Sequence, residues 1–236
     1  MSPPRRSTHR SPARFLGRVV EGAVAGPFPG FVQPCRPTER KVPPAGEGWL
    51  HEIMHAGYRL QANVREGVPR LYTGDGHDWT ARMPAMAASV EALPVNNAVL
   101  DGELAAVDAK GQPAFFELPP ALGAPTRVKG RLVYYTFDML YLDGFDLRGV
   151  ALIDRKRVLE TLLFNTSGVQ LVKYVEHIVG DGAIVLEHAC RLGLKGIVSK
   201  LAEAPYRSGR SRNWIKTKCT AWRYTNRTRF EKMRGR

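Results

Sequence analysis

The stretch from residue 51 to residue 64 reads HEIMHAGYRLQANV, and the fold prediction starts from it. After Gly57 the stretch alternates apolar and polar residues from Tyr58 to Val64, a pattern typical of a half-buried β-strand. Two more β-like runs follow at 68–73 and 98–107, and the short polar segments at 66–67 and 108–111 are typical of hairpin loops. This part of the chain is therefore predicted to pair in antiparallel fashion.

Helical periodicity appears in three separate segments. Apolar residues three and four positions apart predict helices over 83–93, 152–163 and 183–192. A run rich in aromatic and β-branched residues at 132–140 predicts a buried strand between the first two helices. Strands and helices are mixed without a regular βαβ rhythm, so the predicted class is α+β, with a folded body that begins near Phe28.

Positive charge is concentrated at the two ends of the 236-residue chain, whose formal net charge is +13. Residues 1–18 contain five arginines and no acid, and residues 205–236 contain eleven lysines and arginines against one glutamate. Basic ends around a nearly neutral body indicate contact with a polyanion, most often nucleic acid. No stretch has the roughly 18 consecutive apolar residues of a membrane helix, so we expect a soluble protein that contacts no membrane.

The three cysteines are Cys35, Cys190 and Cys219, and no C-x-x-C pair occurs among them. Their odd number and wide spacing predict neither a disulfide framework nor a cysteine zinc site. A reducing cytoplasm fits this pattern best.

Residues 51–55 match H-E-x-x-H, the zinc peptidase signature in which two histidines of one helix bind the metal. Glycines at 46, 48 and 57 leave room for only about two helical turns here. If the segment is extended, the two histidines lie about 13 Å apart, too far for one zinc ion. A zinc metallopeptidase therefore remains only a distant alternative.

Five segments, in order, resemble the motifs of the ATP-dependent DNA ligases: 52–59, 101–103, 134–138, 195–200 and 214–218. The flanking segments 27–31 and 206–211 are similar to the ligase module of bacterial non-homologous end-joining ligases. The resemblance covers about residues 26–220. It implies a nucleotidyltransferase domain of the DNA ligase and mRNA-capping type, with mainly antiparallel sheets flanked by helices. Residues 1–25 are then expected to be a basic disordered arm, residues 221–236 a basic tail, and the OB-fold domain of such ligases to be absent.

The resemblance also implies a reaction. In that family a lysine in the first motif attacks ATP to give a lysyl-AMP intermediate, and AMP then passes to a DNA 5′-phosphate before the nick is sealed. The implied cofactors are ATP and Mg, and the implied partners are nicked or broken duplex DNA and end-joining proteins. No oligomer is indicated, and the expected location is the cytoplasm, in association with a bacterial nucleoid.

Site roles are carried over by position. The residues implied to bind the nucleotide are Glu52, Arg59, Glu103, Phe137, Lys200, Lys216 and Lys218. Phe137 would stack on adenine, the last two lysines would hold the α-phosphate, and Glu103 would also be a weak metal ligand. The arginines implied to contact DNA are Arg207, Arg210 and Arg212.

The sequence departs from the family at chemically active positions. Met54 stands where the nucleophilic lysine is expected, and a thioether forms no stable phosphoryl adduct. His55 is not expected to replace it, because side chains alternate along an extended segment. Ala56 replaces the aspartate of the same motif, and Lys195 replaces a metal-binding glutamate. A lysine there would repel each unit of positive charge by about 4 kcal/mol at 4 Å and an effective dielectric of 20, so Mg binding should suffer.

Three hypotheses follow besides the peptidase. The leading one is a ligase-like domain, involved in DNA repair or recombination, whose self-adenylylation is lost or severely impaired. The second is a functioning ligase that uses another nucleophile or a partner chain. The third is a non-catalytic module that binds DNA or a nucleotide.

Overall fold

The computed structural model describes residues 20–109, 131–164, 166–167, 170–220 and 222. Residues 1–19 of the arm predicted over 1–25, and nearly all of the tail predicted over 221–236, lie outside these ranges. The strands are β1 (Val24–Ala25), β2 (Cys35–Glu39), β3 (Trp49–Ile53), β4 (Tyr58–Arg65), β5 (Val68–Thr73), β6 (Ala98–Val107), β7 (Arg131–Leu142), β8 (Phe145–Asp146), β9 (Val172–Tyr174), β10 (Ile178–Val179), β11 (Gly196–Leu201) and β12 (Gly209–Lys218). The α-helices are α1 (Pro84–Glu91), α2 (Leu152–Phe164) and α3 (Gly182–Arg191), and a 3₁₀ turn spans Thr80–Arg82. None of the helices in the described ranges has the length and apolar character needed to cross a membrane.

The strands form two sheets, and the larger one has seven strands. Its order is β1-β8-β7-β6-β4-β5, with β9 pairing with β7. The pairings of β4, β5 and β6 are antiparallel, as predicted, and the register places Arg59 opposite Glu103. Next to it, Glu103 lies opposite Tyr135 of β7. The two charged residues and the start of the aromatic strand therefore lie on neighbouring rungs of this sheet.

The smaller sheet has five strands in the order β10-β3-β11-β12-β2. Strand β3 pairs with β11, which places Glu52 opposite Val198, and β11 pairs with β12, which places Val198 opposite Lys216. Residues 54–57 carry the chain from β3 in this sheet to β4 in the larger one. The segment that contains Met54 is thus the connection between the two sheets.

Helices α1 and α2 cover the larger sheet and bury its apolar face. Its core includes Leu60, Leu104, Tyr134, Met139 and Leu159, each fully buried. The cost of burying the Tyr134 hydroxyl is offset because it donates a hydrogen bond to the Leu100 carbonyl at 2.9 Å. The third helix packs on the smaller sheet, where Val185 and Ala189 contact Ile197.

The predicted α+β class is confirmed, and all three predicted helices end within two residues of their predicted limits. Two expectations need correction. The described fold begins before Phe28, because Val24 and Ala25 pair with β8. Cys190 and Cys219 form a disulfide, with their Cα atoms 5.3 Å apart. The sequence argument missed this bond because α3 and the end of β12 meet only through tertiary packing.

Candidate functional site

A cavity of about 230 Å³ lies where the two sheets meet. Met54 contributes to its wall, and the Met54 backbone N–H donates to the Gly196 carbonyl oxygen at 2.9 Å, which fixes this end of β3 against β11. The residues that line the cavity are Pro37, Glu52, Ile53, Met54, His55, Arg59, Glu103, Phe137, Val175, Lys195, Val198, Lys200, Trp214 and Lys216. Of the eight predicted catalytic and nucleotide-binding residues, only Lys218 is missing from this wall.

His55 lines the same cavity as Met54, contrary to the expectation that it faces away. Strand β3 ends at Ile53, so the alternation of an extended strand does not continue through residues 54 and 55. The His55 imidazole stacks on Tyr135 with ring centroids 3.7 Å apart. Burial lowers the pKa of His55 to about 4, against a smaller opposing effect of Glu52. The imidazole is therefore neutral at physiological pH.

Glu52 is buried at the base of the cavity between two lysines. Its Oε1 lies 2.6 Å from Lys156 Nζ, and its Oε2 lies 2.5 Å from Lys200 Nζ. Burial alone would raise the pKa of Glu52, but the two lysines lower it below its ordinary value. Burial lowers the pKa of Lys200 to about 8, with Glu52 acting in the opposite direction. The carboxylate thus holds two buried ammonium groups, one of which lines the cavity.

Arg59, which also lines the cavity, is held by the fully buried Asp101. Arg59 Nε lies 2.6 Å from Asp101 Oδ1, and the Tyr206 hydroxyl donates to Asp101 Oδ2 at 2.7 Å. Burial would lower the pKa of Arg59, but Asp101 raises it above the ordinary value. The fork of two parallel hydrogen bonds fixes the guanidinium plane against the wall of the cavity.

Phe137 is the aromatic residue of the cavity that was predicted to stack on adenine. Its ring lies edge-on to Trp214, with centroids 5.8 Å apart. Lys200 Nζ lies 3.9 Å from the Phe137 ring centroid, and the Arg59 guanidinium carbon lies 4.7 Å from it. Both cations interact with the ring quadrupole, so Phe137 is in contact with two positively charged residues of the cavity wall.

Glu103 and Lys195 both line the cavity and influence each other electrostatically. Glu103 Oε1 accepts a hydrogen bond from the Gly57 N–H at 3.2 Å. Burial raises the pKa of Glu103, and Lys195 and Arg59 oppose that rise. Burial also lowers the pKa of Lys195, against the effect of Glu103. The lysine that replaces the expected glutamate therefore lies in the same cavity as the candidate metal ligand.

The two lysines of β12 that were predicted to hold phosphate are bound to a common acid. Glu39 Oε2 lies 3.5 Å from Lys216 Nζ and 2.9 Å from Lys218 Nζ. Only Lys216 also lines the cavity. The predicted DNA-binding residues Arg207, Arg210 and Arg212 are all exposed, and the last two lie on the same strand.

The H-E-x-x-H segment lies largely on a strand, since His51 and Glu52 belong to β3. The His51 ring bonds to Ser199 Oγ at 2.9 Å and to the Gly180 carbonyl at 3.1 Å, while His55 stacks elsewhere. Within the described ranges, no group of three or more His, Cys, Asp or Glu side chains could hold a metal ion. The zinc peptidase alternative therefore has no geometric support.

Sequence reasoning missed Lys156 and Glu39, which fix the charges of this site. Both act across sequence separations of more than a hundred residues, so no local pattern marks them. It also missed why two glycines occur in the predicted motifs. A Cβ at Gly57 would lie 2.0 Å from the Leu104 carbonyl oxygen, and one at Gly196 would lie 2.1 Å from that of Thr217. Only glycine permits these close contacts between strands.

The family model of the ATP dependent DNA ligase domain matches residues 29–218. That match covers most of the chain and includes every residue that lines the cavity. The chain belongs to the ATP-dependent DNA ligase family. The resemblance noted in the sequence is thereby confirmed.

The relatives of this ligase-family chain include bacterial end-joining proteins. It is 36% identical over 219 residues to the multifunctional non-homologous end joining protein LigD of Pseudomonas aeruginosa, covering 92% of this chain and 25% of that protein. It is 36% identical over 171 residues to LigD of Mycobacterium tuberculosis, covering 72% and 21%. The chain thus spans about a quarter of the length of these curated relatives.

Among solved structures, a mycobacterial DNA ligase D complexed with ATP and MES is similar, with a TM-score of 0.65 and 33% identity over 78% of this chain and 59% of that one. The Chlorella virus DNA ligase-adenylate shares the fold at 18% identity, with a TM-score of 0.54. These neighbours confirm the predicted nucleotidyltransferase-like fold.

Proposed function

We propose that this domain binds an adenine nucleotide without forming a covalent enzyme–AMP intermediate. The observation that carries the proposal is Met54, which lines the cavity at the position where the ligase family has its nucleophilic lysine. A thioether has no proton to lose to a base and makes no stable bond to phosphorus. Loss of a covalent nucleophile elsewhere costs on the order of 10⁶ in kcat.

Lys200 and His55, which line the same cavity as Met54, are poor substitutes for the nucleophilic lysine. Lys200 Nζ is fixed against Glu52 Oε2 at 2.5 Å, and this ion pair opposes the loss of the proton that an attack on phosphorus requires. The neutral His55 imidazole is stacked on Tyr135. These contacts favour a non-covalent site over a ligase that uses another nucleophile.

Nucleotide binding is supported by the composition of the cavity. Val175 and Val198 line the same cavity as Phe137, together with the cations Arg59, Lys195, Lys200 and Lys216. Aromatic and apolar walls with a few placed charges are typical of ligand sites. The volume of about 230 Å³ suits the base of a nucleotide rather than the entire molecule.

The residues present do not fit the Mg ion that the family implies. Divalent magnesium prefers several oxygen ligands in octahedral geometry. Here Asp101 is committed to Arg59 and Glu52 to two lysines, which leaves Glu103 beside an ammonium group. The residues described around the cavity therefore do not provide a site for magnesium.

Isothermal titration of the full chain with ATP tests the proposal. We expect saturable binding, and Phe137→Ala should weaken it at least about fivefold, because stacking of an aromatic side chain on a base contributes about 1–3 kcal/mol. Phe164→Ala is the matched control, since this phenylalanine is 88% exposed on α2 and should leave the affinity unchanged. Absence of ATP binding by the unmodified chain would overturn the proposal.

We further infer that the nucleotide site lies beside a DNA-binding surface, which agrees with the DNA ligase family. The exposed Arg210 and Arg212 occupy the same strand as Trp214 and Lys216 of the cavity wall. Arginines that contact phosphates release counterions, and each contact adds about 0.9 to the slope of log affinity against log salt concentration.

Binding of a nicked DNA duplex at several salt concentrations tests this surface. Arg210→Ala/Arg212→Ala should reduce the salt slope by roughly 2. The control is Arg157→Ala/Arg191→Ala, which also removes two exposed arginines but from ion pairs on helices α2 and α3. Equal losses in the two double variants would contradict a specific DNA-binding role.

A further inference from the structure

The cavity wall carries more positive than negative charge. Four cations line it, namely Arg59, Lys195, Lys200 and Lys216, against the two carboxylates Glu52 and Glu103. The ion-pair partners just behind the wall do not alter this balance. These partners are the acids Asp101 and Glu39 and the lysines Lys156 and Lys218, so their formal charges sum to zero. Counted over the residues that the structure describes, the site therefore has an excess of two formal positive charges before any ligand or ion enters.

The position of Lys195 is fixed by its backbone. The Lys195 carbonyl accepts a hydrogen bond from the Cys219 N–H at 3.0 Å, and Gly196 begins the pairing of β11 with β12. Its Nζ lies 5.8 Å from the Trp222 ring centroid, and its charge acts on Glu103. The ammonium group is thus anchored in the same part of the cavity as Glu103.

We propose that Lys195 is a built-in counter-ion for nucleotide phosphates, so that nucleotide binding to this cavity requires no divalent cation. The inference rests on the proposed nucleotide-binding function and specifies how that site neutralises its ligand. The Lys195 ammonium group lines the same cavity as Glu103 and Lys216. It attracts a phosphate directly, and it repels a divalent ion from Glu103, the one carboxylate that lacks a close ion-pair contact in the described wall.

Titration with ATP in EDTA and in excess MgCl₂ tests the inference on the full chain. The unmodified chain should bind ATP at least as tightly in EDTA as in magnesium. Lys195→Glu should bind at least tenfold more weakly in EDTA and should regain at least tenfold in magnesium, because it replaces the counter-ion by a second carboxylate. Lys195→Met, which removes only the charge, should lose affinity in EDTA and gain nothing from magnesium.

Lys173→Glu is the matched control, because it reverses the charge of an exposed lysine on β9. It should behave like the unmodified chain, and near-ultraviolet circular dichroism should show that all variants are folded. ATP binding that is at least tenfold tighter in magnesium would overturn the inference while leaving the proposed function intact. Absence of ATP binding under both conditions would overturn both. If neither Lys195 variant differs from Lys173→Glu, the counter-ion role is refuted.

Discussion

Replacing Glu52 by glutamine should destabilise the domain strongly, because Glu52 is the shared counter-ion of two buried lysines. Glu52 is 2% exposed, and its oxygens lie 2.6 and 2.5 Å from Lys156 and Lys200. Removing one partner of a buried ion pair costs about 3–5 kcal/mol, since a buried charge is left uncompensated. We expect a loss in this range rather than twice as much. Lys156 keeps the Val175 carbonyl at 2.8 Å, and Lys200 keeps the ring of Phe137.

Urea unfolding measures this effect. With an m value of about 2 kcal/mol per M, the midpoint should fall by roughly 2 M while m stays unchanged. The double variant Glu52→Gln/Lys156→Met should recover part of the loss, because it removes one of the stranded cations. The control is Asp154→Asn, which breaks an exposed ion pair with Arg157 and should cost less than about 1 kcal/mol. If Glu52→Gln costs no more than this control, the reasoning about the buried charges is wrong.

Three further predictions concern the residues around the cavity. As pH drops from about 6.5 towards 4, the free energy of unfolding of the unmodified chain should fall relative to that of His55→Phe. The reason is that the folded state holds the pKa of His55 at about 4, so the unfolded state binds the proton first. The limiting difference in stability is about 3 kcal/mol, and urea midpoints of the two proteins at several pH values would measure it. If the two midpoints change equally with pH, the lowered pKa of His55 is refuted. Gly57→Ala should unfold the domain or lower its melting temperature by many degrees, because the added Cβ would lie 2.0 Å from a carbonyl oxygen of β6. The control Gly26→Ala adds a Cβ with no atom within 4 Å, so it should leave the melting temperature nearly unchanged in the same thermal scan. Reduction of the Cys190–Cys219 disulfide, whose cysteines are 29 residues apart, should cost about 3–4 kcal/mol by urea unfolding with and without reductant; equal midpoints would contradict the bond.

Much of the fold could be predicted from the sequence because its strands and helices follow local periodicity. Strand β6 has the predicted limits, 98–107, since both ends are marked by turn residues. The cavity residues were found through motif order, and seven of the eight lie on one wall. The exception, Lys218, turns instead to Glu39.

The remaining features depend on contacts between distant parts of the chain. The prediction that His55 faces away from Met54 is wrong because it extends β3 beyond Ile53, where the chain crosses to the other sheet. The lysine that secures Glu52 lies on α2, more than a hundred residues away. Neither the crossing point nor this ion pair leaves a local signal in the sequence.

Intact-mass spectrometry after incubation with ATP tests the central claim most directly. The unmodified chain should show no covalent adenylyl group, with or without magnesium. Met54→Lys/Lys195→Glu, which restores both the amine and the carboxylate that the family has at these positions, should gain one adenylyl group and so show that the assay detects it. A covalent adenylyl group on the unmodified chain, at Lys200 or at any other residue, would contradict the account.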